Sequence, residues 1–199
     1  MRRELDYFQI ETSYGGNQDW FTDRWMRDGG CGAETACDVS VYLAMHRGLS
    51  QIYPFRLPPT RTDYVAFSEI MRPYLRPRFT GIDRLDIYIE GFSGYLHDHG
   101  IECIALSPWE GEHPYEKTRD VVRQQIDIGM PIPCLTLKHK ALSMDFYVWH
   151  WYLLTGYEDF DGACAVKAVT YGSWCWLDLR TLWDTGYERR GGLVLLSEH

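Results

Sequence analysis

The chain has 199 residues, of which 45% are hydrophobic and 24% charged, and its formal net charge at pH 7 is −8. This length fits one domain, and the composition excludes a disordered chain, which could not bury a core. The acidic balance argues against non-specific binding to nucleic acid or to anionic membranes. We therefore predict a single domain over residues 1–199, with no nucleic acid and no membrane among its partners.

The N-terminal segment does not look like a targeting signal. The first residues, 1–7, are polar, and no apolar run in the chain approaches the length needed to span a bilayer. We therefore expect a cytoplasmic protein, whose six cysteines are free thiols in a reducing compartment. No two cysteines have the C-x-x-C spacing of a zinc or redox site, and a metal site would need His97 and His99 to join distant cysteines. We expect no metal and no cofactor.

The first 129 residues predict a mainly helical part. The segment through Gly30 is polar and turn-rich, as in an irregular region. At 31–45, small residues recur at three- and four-residue steps, which predicts a helix with a face suited to close packing. After a proline-rich connection, further helices are expected at about 63–76, 84–99 and 116–128.

Residues 130–199 predict an antiparallel sheet. Short runs rich in Val, Leu, Tyr and Trp alternate there with Gly, Asp and charged clusters, a pattern typical of antiparallel strands. We expect these strands at 131–137, 147–157, 164–169, 174–179 and 192–196. The segment 159–162, D-F-D-G, predicts a hairpin turn. Helices followed by a sheet give an α+β fold.

Cys31 is the candidate nucleophile. It lies at the predicted start of a helix, where unpaired backbone N–H groups and the helix dipole stabilise a thiolate. Gly29, Gly30 and Gly32 flank it and would allow a substrate backbone to approach the sulfur. The alternative is that Cys31 is a buried, unreactive residue, which is what we expect of Cys37 farther along the helix.

His150 is the candidate base. It lies in the apolar run 148–157, where a lone polar residue is costly to bury unless it has a partner. The alternative is a hydrogen-bonded core histidine. The other histidines lie at a helix end or in polar surroundings, so we expect surface or capping roles for them. Trp20, Trp149 and Trp151 are candidate walls of a cleft, although aromatic residues at strand positions more often belong to the core.

Two motifs, G-G-C-G-A-E-T-A at 29–36 and H-W-Y-L-L-T-G-Y at 150–157, resemble the papain-like cysteine peptidase superfamily, in its bacteriocin-leader-processing-like branch. In that family a cysteine begins the central helix, and a histidine lies on a strand much later in the chain. The resemblance implies a papain-like fold, in which the nucleophile helix packs on a C-terminal antiparallel sheet. It also implies that Cys31 and His150 hydrolyse a peptide or protein substrate without a cofactor.

The resemblance further implies an oxyanion donor and a residue that orients the imidazole. The family's glutamine position falls on Trp25, so the nearest amide is Gln18, which reaches the site if residues 19–30 loop out. The alternative is that Gln18 is an ordinary turn residue. The orienting position falls on Thr170 or Val169, neither of which is the Asn or Asp of the family.

The lack of the family's Asn or Asp at the orienting position leaves three functions open. Asp145 and Asp178 are the nearby acids, but both lie out of the expected register. In the first, a cysteine hydrolase, Thr170 or a backbone carbonyl assists a Cys–His dyad. In the second, the chain is a catalytically inactive papain-fold module that binds peptides. A thiol-dependent acyltransferase or amidase is the third alternative. Glu34 and Asp38 suit the dipole of the nucleophile helix but would raise the pKa of a neighbouring thiol. The sequence does not indicate an oligomeric state.

Overall fold

Helices form where the sequence pattern predicts them, with ends shifted by a few residues. In the computed structural model, which describes residues 1–199, the α-helices are α1 (Arg24–Gly29), α2 (Cys31–His46), α3 (Arg61–Met71), α4 (Leu85–Asp98), α5 (Tyr115–Asp127) and α6 (Leu179–Trp183). Short 3-10 helices lie at Gln18–Trp20, Ser50–Ile52 and Leu142–Tyr147. The short helices α1 and α6 were not predicted. Each begins after an aspartate, Asp23 or Asp178, whose side chain accepts a hydrogen bond from a backbone N–H of the first turn.

The five predicted strands are all present, as the last five of nine. The strands are β1 (Arg2–Glu4), β2 (Gln9–Ile10), β3 (Ser13–Tyr14), β4 (Ile104–Glu110), β5 (Ile132–Thr136), β6 (His150–Phe160), β7 (Ala163–Thr170), β8 (Ser173–Asp178) and β9 (Gly192–Glu198). Strand β6 begins at His150, later than expected, because a 3-10 helix occupies Leu142–Tyr147.

The main sheet has seven strands, in the order β4-β9-β5-β6-β7-β8, with β1 also paired to β6. All these pairs are antiparallel. Strands β1 and β4 also join this sheet, although they come from residues 1–129, the part expected to be mainly helical. Pro108 interrupts the strand pattern of β4, and an edge strand tolerates a proline because one side of it needs no ladder hydrogen bonds.

Two tight hairpins connect the strands next to the candidate base. Asp161 and Gly162 join β6 to β7 with φ values of 46° and 84°, which confirms the predicted turn. Tyr171 and Gly172 join β7 to β8 with φ values of 49° and 68°. Because the second turn has only two residues, it fixes Thr170 at the last position of β7.

The centre of the fold is the contact between α2 and β6. Helix α2 is buried from Cys31 to Ala44, and β6 is buried from His150 to Tyr157. Helix α2 packs against β6, α4 against β4 and β9, and α5 against β5 and β6. One continuous apolar core joins the helices to the sheet. None of the helices combines the length and the apolar character needed to cross a membrane.

Candidate active site

Cys31 is the first residue of α2, at a sharp junction with α1. Gly30 alone separates the two helices, and its carbonyl oxygen accepts a hydrogen bond from the Glu34 N–H at 2.8 Å. A Cβ atom at Gly30 would lie 2.2 Å from the carbonyl oxygen of Met26, so a larger residue does not fit there. This glycine therefore makes the junction possible, and the junction fixes the thiol at the helix N-terminus.

The Cys31 thiol is almost enclosed, with the residue 9% exposed. Burial raises the pKa of the Cys31 thiol to about 11, although backbone N–H groups of Trp151 and Gly32 face the sulfur and favour the thiolate. The thiol is therefore protonated at neutral pH and needs a base to become a nucleophile. Trp151 follows His150 in β6, so the contact between the Trp151 N–H and the sulfur also brings the start of that strand next to Cys31.

His150 is the first residue of β6 and is 5% exposed. Its Nε2 is hydrogen-bonded to Thr170 Oγ1 at 2.7 Å, and its ring stacks on the Tyr171 ring, with centroids 5.1 Å apart and an interplanar angle of 7°. Burial lowers the pKa of His150 to about 4, because the imidazolium loses hydration. The imidazole is therefore neutral at neutral pH, and this is the form that accepts a proton.

Of the three tryptophans expected to form cleft walls, only one lines the cleft. Trp149 lines the cleft beside His150. Trp151 instead belongs to the core, where its Nε1 donates to the Ile82 carbonyl at 2.6 Å and its ring stacks on Tyr88. Trp20 does not line the cleft. The side chain of Trp151 thus anchors the start of β6 instead of contacting a ligand.

Of the two candidate positions for the orienting residue, Thr170 is the one that contacts the imidazole. Val169 is the preceding residue of β7, and successive side chains of a strand point to opposite faces of a sheet. Asp178 caps α6, and Asp145 is exposed in a 3-10 helix. No carboxylate is hydrogen-bonded to His150, so the partner of its Nε2 is a neutral hydroxyl.

Gln18 lies in the 3-10 helix Gln18–Trp20, is 3% exposed and lines the same cleft as Cys31. Its Nε2 donates to the carbonyl oxygen of Arg27 at 2.8 Å, and its Oε1 is buried without a hydrogen-bond partner. The intervening chain does loop out, since it contains α1 before it returns at Cys31. The second N–H of Gln18 Nε2 remains available to a ligand.

The cleft has a volume of about 390 Å³. Three of the four predicted site residues line it, namely Gln18, Cys31 and His150, while Thr170 is not part of its wall. Large side chains that are more than 40% exposed also line it: Trp25, Phe79, Phe146 and Trp149. No hydrogen bond joins Cys31 to His150 in this geometry, so the two groups share the cleft as separate neutral partners.

Sequence reasoning missed the roles of two buried carboxyl groups on α2. Asp38 is 3% exposed and accepts hydrogen bonds from the hydroxyls of Tyr7 and Tyr64, each at 2.6 Å, and from the Gly16 N–H at 3.0 Å. Burial raises the pKa of Asp38 to about 6, and these donors limit the increase. Tyrosines and a turn far away in the sequence supply the donors, so no local pattern marks this carboxyl group as buried.

Glu34 lies one turn before Asp38 and is also 3% exposed. Its Oε1 accepts a hydrogen bond from the Tyr171 N–H at 3.3 Å, and its Oε2 is buried without a partner. Burial, and next the charge of Asp38, raise the pKa of Glu34 well above its usual range. Glu34 therefore connects the nucleophile helix to the turn that carries the ring stacked on His150.

Neither a metal cluster nor a disulfide is present. No group of three or more His, Cys, Asp or Glu side chains is close enough to hold a metal ion, and all six cysteines are free. Comparison of the chain with protein-family models, with curated proteins and with solved structures gave no significant match.

Proposed function

We propose that this protein is a cysteine peptidase or amide hydrolase of papain-like architecture, in which Cys31 attacks a peptide carbonyl and His150 transfers the protons. The observation that carries the proposal is the position of the two residues. Cys31 begins the buried central helix, His150 begins the buried central strand, and both line one cleft. Nucleophile and base supplied by separate elements on the two sides of a cleft are typical of thiol hydrolases.

The resting pair is a neutral thiol and a neutral imidazole, because burial raises the pKa of Cys31 to about 11 and lowers the pKa of His150 to about 4. In the proposed mechanism His150 Nε2 carries the proton and donates it to Thr170 Oγ1, 2.7 Å away, which leaves Nδ1 as the base. Nδ1 removes the thiol proton as the sulfur forms a bond to the carbonyl carbon. The N–H groups of Gly32 and Trp151 stabilise the negative charge that develops on the sulfur.

The remaining steps return the enzyme to its starting state. The imidazolium gives its proton to the leaving nitrogen, the C–N bond breaks, and a thioester to Cys31 remains. His150 then removes a proton from water, the hydroxide oxygen attacks the thioester carbonyl, and the C–S bond breaks. The acid product leaves, and the sulfur recovers the proton from the imidazolium.

Two N–H groups are available to the oxyanion that forms in both steps. As the first helical residue, Cys31 has a backbone N–H with no acceptor inside α2. One N–H of Gln18 Nε2 is bonded to the Arg27 carbonyl oxygen, and the second N–H has no protein partner. Donors fixed in this way cost little reorganisation during the reaction, and each contributes about a hundredfold or more in rate in well-studied hydrolases.

A peptide library tests the proposal directly. Wild type should cleave a subset of the peptides, Cys31→Ser should cleave none, and an acid quench should trap an acyl group on Cys31, as seen by mass spectrometry. Cys37→Ser is the matched control, because Cys37 lies on the same helix but is fully buried. Cleavage by Cys31→Ser, or no cleavage by wild type, would contradict the proposal.

A peptide-binding module without catalysis is the second candidate, and the aromatic side chains in the cleft favour it. Trp25, Phe79, Phe146 and Trp149 offer apolar contact area to a ligand whether or not the thiol reacts. Binding of peptides by wild type and Cys31→Ser alike, with no cleavage by either, would support this candidate. Transfer of the trapped acyl group to an amine instead of to water would identify an acyltransferase.

A further inference from the structure

Two buried oxygen atoms near the nucleophile lack hydrogen-bond partners, Gln18 Oε1 and Glu34 Oε2. Such atoms are rare in proteins, because a buried polar group without a partner has lost its hydration without compensation. The two residues are neighbours, since the carboxyl group of Glu34 also faces the backbone N–H of Gln18. A single hydrogen bond between the two side chains would satisfy both atoms.

Two acceptor oxygens cannot bond to each other unless one of them carries a proton. We propose that Glu34 is a positioning residue that is protonated at neutral pH and donates its O–H to Gln18 Oε1. This bond, together with the bond from Nε2 to Arg27, fixes the plane of the Gln18 amide. The free N–H of Nε2 is then held ready for the oxyanion at Cys31. The inference rests on the proposed function, because it uses Gln18 as the oxyanion donor.

The surroundings of Glu34 favour the neutral acid. The titratable groups near it come from α2, from the 3-10 helix at 18–20, from the turn after β7, from α3 and from the segment between β1 and β2. They are Asp38, Cys31, Cys37, Asp19, Tyr171, Tyr64 and Tyr7. None of these groups is a cation. Burial, the charge of Asp38 and the charge of Asp19 raise the pKa of Glu34, against the N–H groups of Tyr171 and Gln18. Asp38 has three donors, so it holds the negative charge more easily than Glu34 does.

The proton on Glu34 has two consequences for the site. A neutral Glu34 does not oppose the negative charge that develops on Cys31, which lies one turn away on α2. Glu34 also accepts the N–H of Tyr171, whose ring stacks on His150. One buried acid thus supports both the oxyanion donor and the turn beside the base.

Two variants of similar side-chain length distinguish the effect of the hydrogen-bond donor on residue 34 from the effect of its side-chain volume. Glu34→Gln keeps an N–H donor for Gln18 Oε1 and should retain kcat within a few-fold. Glu34→Met removes the donor and should lower kcat about tenfold with little change in KM, as expected when a catalytic group is misplaced. Alkylation of Cys31 should be unchanged in Glu34→Gln, which also keeps an oxygen for the Tyr171 N–H, because that reaction needs the thiol and its base but no oxyanion donor. Equal kcat values for Glu34→Gln and Glu34→Met would overturn the inference.

The protonation state can be measured in the wild-type protein, so the inference does not depend on the folding of a variant. The carboxyl carbon of Glu34, labelled with ¹³C and assigned by its absence in Glu34→Gln, should give the signal of a protonated acid at pH 7. An ionised Glu34 at pH 7, with a water molecule between Glu34 Oε2 and Gln18 Oε1, would overturn the inference. If Cys31 is unreactive although Glu34 is protonated, the proposed function fails and not the proton assignment.

Discussion

His150 Nε2 and Thr170 Oγ1 lie 2.7 Å apart, at the point where β6 begins and β7 ends. The antiparallel register of the β6–β7 hairpin sets this contact, because the two-residue turn after Thr170 leaves it no freedom along the strand. A hydroxyl orients the imidazole without adding a charge. The pKa of His150 therefore follows its burial and is lowered to about 4, whereas a carboxylate at this position would raise it.

Removal of the Thr170 hydroxyl should affect both stability and reactivity. Thr170→Val keeps the shape but leaves Nε2 of His150 buried without a partner, so the free energy of unfolding should fall by about 1–3 kcal/mol. Alkylation of Cys31 at pH 7 should also slow, because the imidazole is no longer held in one tautomer. Thr170→Ser keeps the hydroxyl and serves as the control. Urea unfolding and alkylation rates check both effects, and a Thr170→Val protein identical to wild type would rule out an orienting role.

The Tyr171 ring should control the pKa of His150. In Tyr171→Asn the stacked ring is lost, water reaches the imidazolium, and the pKa of His150 should rise from about 4 towards the 6.5 of a solvated histidine. Asn also suits the positive φ of 49° at this turn position, so the backbone should not be strained. Tyr171→Phe keeps the ring and should leave the pKa low. NMR titration of His150 measures these values, and equal pKa values in the two variants would contradict the role of the ring.

Gly30 should tolerate no side chain. In Gly30→Ala the Cβ would approach the Met26 carbonyl oxygen to 2.2 Å, and because both helices meet there the clash should destabilise the fold by about 1–3 kcal/mol. Gly94→Ala in α4 is the control, since its Cβ would lie 3.7 Å from Tyr74 in ordinary contact. Stability against urea should fall for the first variant and stay level or rise for the second. Equal stabilities would show that the junction is more flexible than its geometry indicates.

Local patterns in the sequence located the central residues of the site. Cys31 was identified by its glycine neighbours and the helix that follows it, and His150 by its isolation in an apolar run. Both signals are local, and the structure places both residues on one cleft. The β5 to β9 strands were found for the same reason, since their composition and turns are visible within a few residues.

Features that depend on distant contacts were missed. Glu34 looks like an ordinary first-turn residue, and only the fold brings the Tyr171 N–H, 137 residues away, to its carboxyl group. Strand β4 was missed because Pro108 breaks its pattern, and the edge position that tolerates this proline is not visible in sequence. No local pattern brings Gln18 to the site, because its approach to Cys31 depends on the helix α1 that folds between them.

The most direct test of the account is the pH dependence of Cys31 alkylation by iodoacetamide, with each modified cysteine located by mass spectrometry. His150 loses its proton near its pKa of about 4, so base-assisted alkylation should rise with pH through that value and then stay level until the thiol itself ionises near pH 11. In His150→Ala the level region should disappear, because only about one thiol in ten thousand is ionised four pH units below its pKa. Cys31 should therefore react at pH 7 faster than the other five cysteines in wild type, and lose this advantage in His150→Ala. A rate for Cys31 no higher than that of Cys37, or a rate unaffected by His150→Ala, would contradict the proposed pair.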